Sequence, residues 1–146
     1  MDNSYVSQPL ARWTLIGLTL IVLALPAWAQ TKGESEAQCG VNTDPDTRIS
    51  GCTALIQSGQ QTTENLAISY NNRGIGYNRK GLYDQAIADA TEAITLKPDH
   101  PKFYYWRATA KKAKGDSGGA KADYAKALEL KPDFVDAQNA LAALNK

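Results

Sequence analysis

Leu96-Lys97-Pro98-Asp99 returns as Leu130-Lys131-Pro132-Asp133, an offset of 34 residues (130 − 96), and that echo decides the fold. The same offset joins Tyr70 to Tyr104, Arg73 to Arg107, Lys80 to Lys114 and Gly81 to Gly115. It also joins Ala86 to Ala120, Asp89 to Asp123 and Ala93 to Ala127. A period of this size marks one structural unit written twice, each copy burying its apolar face against a neighbour. Within a unit the apolar residues recur at three and four, the period of a helix. Tyr70, Gly74 and Tyr77 share one face, and Lys80-Gly81 ends that helix. A second helix from Tyr83 turns Ala86, Ile87, Ala90, Ala93 and Ile94 inward and closes at Leu96. Pro98 cannot continue it and disfavours helical backbone at Lys97. The second unit repeats this plan over residues 101–132.

Working outward, Asp44-Pro45 reads as an N-cap followed by proline at the first helical position. The helix it opens carries Ile49, Cys52, Leu55 and Ile56 on one stripe and stops at Gly59, so residues 44–64 form a degenerate leading half-repeat with its connection. Residues 30–43 are polar and lack periodicity, which predicts a flexible lead-in. At the other end, residues 134–146 predict a capping helix with Val135, Leu141 and Leu144 inward. Residues 1–29 have the plan of a cleaved signal peptide: Arg12, an apolar run over 13–25, Pro26, then small residues at Ala27 and Ala29. The expected cut lies between Ala29 and Gln30. The alternative is a retained anchor, but the run falls short of the roughly 20 apolar residues that span a bilayer. Export to a periplasm, or alternatively to the medium, puts Cys39 and Cys52, the only cysteines, in an oxidising compartment, where they are expected to pair. With 16 Lys+Arg against 15 Asp+Glu and a net charge of +1, the chain offers no electrostatic case for nucleic acid or an anionic membrane.

These residues resemble the tetratricopeptide repeat, a 34-residue helix pair with a W-x2-L-G-x2-Y, A-x3-F and P pattern. Counting from Ala67, Tyr70, Gly74, Tyr77, Ala86, Ala93 and Pro98 fall on its positions 4, 8, 11, 20, 27 and 32. Counting from Pro101, so do Tyr104, Ala108, Ala120, Ala127 and Pro132, with Lys111 where position 11 is usually aromatic. The resemblance implies an all-α, short right-handed solenoid with repeats at 65–100 and 101–133. Large Tyr83 with small Ala90 in one repeat is answered by small Ser117 with large Tyr124 in the next, a swap of volume between neighbouring sites. Arg73 and Arg107 stand at position 7, usually leucine, and recur in step with Asp89 and Asp123. That predicts an arginine–aspartate pair within each repeat; the alternative is two solvated charges.

The resemblance also implies a concave face lined by the first helix of each repeat. In the first repeat this face holds Ile68, Asn71, Asn72, Ile75, Asn78 and Arg79. In the second it holds Lys102, Tyr105, Trp106, Thr109, Lys112 and Ala113, with Asp136 and Asn139 following. The asparagines suit a peptide backbone, Tyr105 and Trp106 suit an anchoring side chain, and Lys102 and Lys112 favour acidic segments. The alternative is that the two aromatics merely pack the core. Some family members clamp a terminal carboxylate with five residues; here Asn72 and Lys102 match, while Ala37, Val41 and Trp106 do not. Gly115-Asp116-Ser117-Gly118-Gly119 resembles a serine-protease nucleophile segment, but it falls in a turn, with Asp116 as N-cap. The single histidine, His100, is expected to be a solvated loop residue, and no cofactor or metal motif appears. The expectation is a non-enzymatic scaffold of the bacterial cell envelope that binds a protein or peptide. The alternatives are an accessory subunit that uses its edges and, remotely, a hydrolase.

Overall fold

Seven helices follow one another with short connections in the computed structural model, which describes residues 32–40 and 43–145. They are α1 (Lys32–Gln38), α2 (Pro45–Ser58), α3 (Thr63–Arg79), α4 (Tyr83–Leu96), α5 (Pro101–Lys114), α6 (Ser117–Leu130) and α7 (Val135–Ala143). No strand occurs among the described residues. The helices stack as an all-helical solenoid of pairs, and the expected signal segment lies outside the described residues.

Local chemistry sets the ends. The Asp44 carboxylate accepts hydrogen bonds from the backbone N–H groups of Asp46 and Thr47; the Thr47 side chain first, and then these backbone bonds, hold its pKa below the usual carboxylate value. Thr62 Oγ1 caps α3 by accepting from the Asn65 N–H, and Asp116 caps α6 by accepting from the Gly119 N–H. Gly59 and Gly115 end α2 and α5 with φ of 64° and 99°, backbone that favours glycine.

The core is thin, because alanines fill most of it. Tyr104, Ala108, Ala120, Tyr124, Ala127 and Ala137 form one cluster, with Phe134, Leu141 and Leu144 packed against it. Ala67, Ala93 and Phe103 form another, joining the first repeat to the second. At Gly74, α3 comes so near α4 that a Cβ would stand 3.2 Å from the Ala86 carbonyl oxygen and 3.3 Å from Asp89 Cβ. The expected volume swap takes a different form. Tyr124 is buried, its hydroxyl 3.2 Å from Thr109 Oγ1, whereas Tyr83 is only half-buried. The first repeat therefore closes on Gly74 and Ala90 by backbone approach instead of filling the gap with a ring.

Two expectations at the ends need correction. Residues 32–38, expected to be part of a flexible lead-in, are helix α1. The helix docks on α2 at Gly51, where a Cβ would lie 2.4 Å from Gln38 Cβ. Its sequence carries no apolar stripe, and its buried side chain is Ser35, so hydrophobic periodicity could not reveal it. The Cys39–Cys52 disulfide closes this pair, making the leading segment two helices and not one. In α7, Val135 points outward, 60% exposed, and Phe134 and Ala137 take the inward positions. The first turn starts from Phe134 as N-cap, which rotates the buried face past Val135.

Candidate functional site: a cationic concave groove

The helices that line the concave face are held in register by a ladder of ionic contacts. Arg73 grips Asp89 with two bonds of 2.8 Å, Nε to Oδ2 and Nη2 to Oδ1. Arg107 grips Asp123 the same way at 2.8 and 2.7 Å. Planar two-point pairing suits the guanidinium, and the aspartate bond is the main reason each arginine is held above its usual pKa. Each arginine also reaches back to the preceding pair: Arg73 Nη1 donates to Thr53 Oγ1 and Arg107 Nη1 to Thr91 Oγ1, both at 3.3 Å. Lys80 bonds Asp46 and Lys114 bonds Asp84 in parallel fashion. Lys111, at a position where an aromatic is usual, lies 2.8 Å from Asp123 and adds a second cation to that carboxylate. Every pair thus locks onto the next, which fixes how α3 and α5 present their inner faces.

Between those faces lies a groove of about 470 Å³. It gathers Asn71, Asn72, Arg79, Lys102, Tyr105 and Trp106 from the expected set, with Ile68, Ile75 and Asp136. Asn78, Lys112 and Asn139 do not line it, and neither do Thr109 and Ala113. On α5 the cavity uses only the first turns; the positions of its last turns fall beyond the groove's end.

The asparagines are not equivalent. Asn72 Nδ2 donates to the Cys39 carbonyl at 3.1 Å and so anchors the end of α1. Asn71 is 7% exposed with its Oδ1 buried and unpartnered. Tyr105 does two things at once. It meets Phe134 at 5.0 Å and Tyr124 at 5.6 Å on the core side, and Trp106 edge-on at 5.2 Å on the groove side. Burial pushes its phenol pKa up.

Four lining residues lay outside the sequence reading: Arg48, His100, Phe103 and Phe134. Arg48 is 1% exposed on α2. Burial is the main cause that lowers its pKa, with nearby Arg79 second. Its spacing to Cys52 and Leu55, four and seven residues, places it on the inward stripe, a signal that was present. His100 is not a solvated loop residue. Its ring stacks on Phe103 at 4.1 Å, its Nδ1 is buried without a partner, and burial lowers its pKa. Ser117 is the first residue of α6, inside the turn that Asp116 caps. Among the described residues no cluster of three or more His, Cys, Asp and Glu is placed to hold a metal ion. With Arg79 and Lys102 lining it beside a single acid, Asp136, the groove favours anionic groups beside an aromatic wall.

Comparison with known proteins agrees with this geometry. The tetratricopeptide repeat family matches residues 67–100 and again residues 101–134. Human serine/threonine-protein phosphatase 5 is 39% identical over 80 residues, 55% of this chain but only 16% of its own length. Among solved structures, the first TPR of Spaghetti (RPAP3) bound to the HSP90 peptide SRMEEVD superposes with a TM-score of 0.64. It is 27% identical and covers 69% of this chain and 79% of that one. The second TPR domain of human RPAP3, in complex with the HSP70 peptide SGPTIEEVD, gives 0.63 at 27% identity, covering 70% and 82%.

Proposed function

We propose, from the premise that residues 67–134 are tetratricopeptide repeats, that this protein is an interaction scaffold whose groove holds an extended acidic segment of a partner. The observation that carries the reading is the charge of the cavity: Arg79 and Lys102 against Asp136. Trp106, half-buried and edge-on to Tyr105, supplies the rigid apolar surface beside those cations. The two RPAP3 domains, whose peptides carry Glu-Glu and Asp, support an acidic ligand. The recognition is of acidic side chains along a segment and not of a chain end. Of the five clamp positions only Asn72 and Lys102 match, and the Asn72 amide is engaged with Cys39.

Labelled acidic peptides and their lysine counterparts, compared by fluorescence polarisation, test the reading. The acidic peptide is expected to bind about tenfold tighter at low salt, with the advantage shrinking as salt rises. Trp106→Ala is expected to weaken binding while the melting temperature holds. Equal affinity for both peptides would overturn the reading. The setting proposed for this activity is a bacterial cell envelope; the apolar run over residues 13–25 and the disulfide support export. Intact mass of the protein from its native host decides it: a chain that begins at Gln30 is expected, and one that retains residues 1–29 would refute cleavage.

A further inference from the structure

His100 is the chain's single histidine, and it forms part of the wall of the cationic groove. It stands in the connection between α4 and α5, two residues before Lys102. We propose that His100 makes the groove a proton-linked site, which holds an acidic segment more tightly in mildly acidic surroundings than at neutral pH. The inference rests on the groove reading above and adds a regulation of the same site.

Three observations carry it. The first is position. The imidazole stacks on Phe103 with centroids 4.1 Å and planes 14° apart, and Phe103 is itself buried against Ala67 and Ala93. The ring is therefore held at the groove wall and feels whatever charge enters. The second is an open nitrogen. Nδ1 is buried and bonds no described residue, so protonating the ring breaks no hydrogen bond of the chain at that atom. The third is the set of charges around the ring. Lys102 on α5 opposes a proton there, while Asp99 in the same connection and Glu64 on α3 favour one. Lys97, at the end of α4, reaches both acids, at 3.7 Å from Glu64 and 4.0 Å from Asp99, and blunts their pull. Arg48 of α2, Arg79 of α3 and Asp136 of α7 line the same groove. In the free protein, burial first and then Lys102 hold the ring's proton affinity below its ordinary value.

An acidic segment changes that balance. Its carboxylates, ionised above about pH 5, lie beside Lys102 and neutralise the cation that opposes the proton. They also attract an imidazolium directly across a half-buried site, where salt screens less than in open water. The segment therefore raises the proton affinity of His100. By linkage, the proton raises the affinity for the segment by the same factor. Free imidazole titrates near about 6.5, so the gain develops as pH falls from about 7.5 to about 5.5.

The probe is a labelled octapeptide of Glu and Gly with blocked ends. Because the chain has one histidine, its ring signals can be followed by NMR through a pH titration without any variant. The midpoint of that titration is expected to move to higher pH when the peptide is bound. Peptide affinity at fixed ionic strength is expected to rise about threefold or more between about pH 7.5 and about pH 5.5. In His100→Gln the gain on acidification should shrink to less than about 1.5-fold. The ratio of affinities at the two pH values is compared within each protein, so a change at neutral pH cancels. A ring midpoint that stays put or moves down on binding overturns the proposal, and this readout holds even if the variant does not fold. A gain on acidification that persists in His100→Gln overturns it as well. Equal binding at both pH values overturns the proton link while the groove reading stands. Failure of the peptide to bind at either pH removes the groove reading, and the proton link falls with it.

Discussion

The pair α1–α2 and the pairs α3–α4 and α5–α6 solve the same problem by different chemistry. In the later two, a bidentate arginine–aspartate bond joins the helices. In the first, a covalent bond does so, between Cys39 at the end of α1 and Cys52 in the middle of α2. The difference follows from length. α1 has 7 residues, while α3 and α5 have 17 and 14. A helix so short is unstable alone and buries little, so packing and one ion pair would not keep it docked. α2 nonetheless plays its full part toward α3, because its Asp46 and Thr53 receive Lys80 and Arg73 as Asp84 and Thr91 of α4 receive Lys114 and Arg107. By contacts the leading segment is a third helix pair with a shortened first member.

Replacing both Cys39 and Cys52 with serine should cost about 3 kcal/mol. Hydrogen exchange should show the loss concentrated in α1 and the start of α2, with α5 and α6 still protected; uniform loss would mean that the disulfide stabilises the whole stack. Asp123→Ala should cost about 2–3 kcal/mol by thermal melting, because it strands both Arg107 and Lys111. Asp89→Ala strands Arg73 alone among the ionic partners and should cost less. Equal losses would show that Lys111 contributes nothing. His100 gives a pH test. Its folded pKa lies below the unfolded value, so its contribution to stability is present above about pH 6.5 and is lost as acid protonates it. A melting temperature that drops between pH 7 and 5 less in His100→Gln than in the parent would show this. Val135→Ala, at the outward position of α7, should change stability by less than about 0.5 kcal/mol.

The boundaries of α4 and α6 could be read because glycine, proline and inward alanines recur at a fixed offset. The leading pair hid itself twice. α2 and α4 have 14 residues each but start 38 apart (83 − 45), not 34, so the period that exposed the other repeats skips it. α1 has no apolar pattern at all. The arginine–aspartate spacing spoke for pairs within a repeat, yet the reach back to Thr53 and Thr91 depends on neighbouring helices and is written in no local pattern. In the groove, periodicity named positions on α3 and α5 but not how far along α5 the cavity runs, so Lys112 was counted in; Asn78 is off the lining although its neighbour Arg79 is on it. Arg48, Phe103 and Phe134 enter from outside that face. His100 was missed because a connecting residue was assumed to meet water, whereas Phe103 gives its ring a surface to stack on.

The ladder of charges also stops in an informative place. α6 carries Gly118 and Ala125 where α4 carries Asp84 and Thr91, and α7 offers Leu141 where α5 offers Arg107. Among the described residues no ion pair ties α7 to α6. The helix is fastened by Ala137, by half-buried Phe134, Leu141 and Leu144, and by a bond from Gln138 to the Pro132 carbonyl. Yet Phe134 and Asp136 form one end of the groove. That end of the groove is therefore held in place by apolar contact alone among its long-range ties, while the rest of the frame is pinned by charge. Salt should loosen the middle of the stack before it loosens this end.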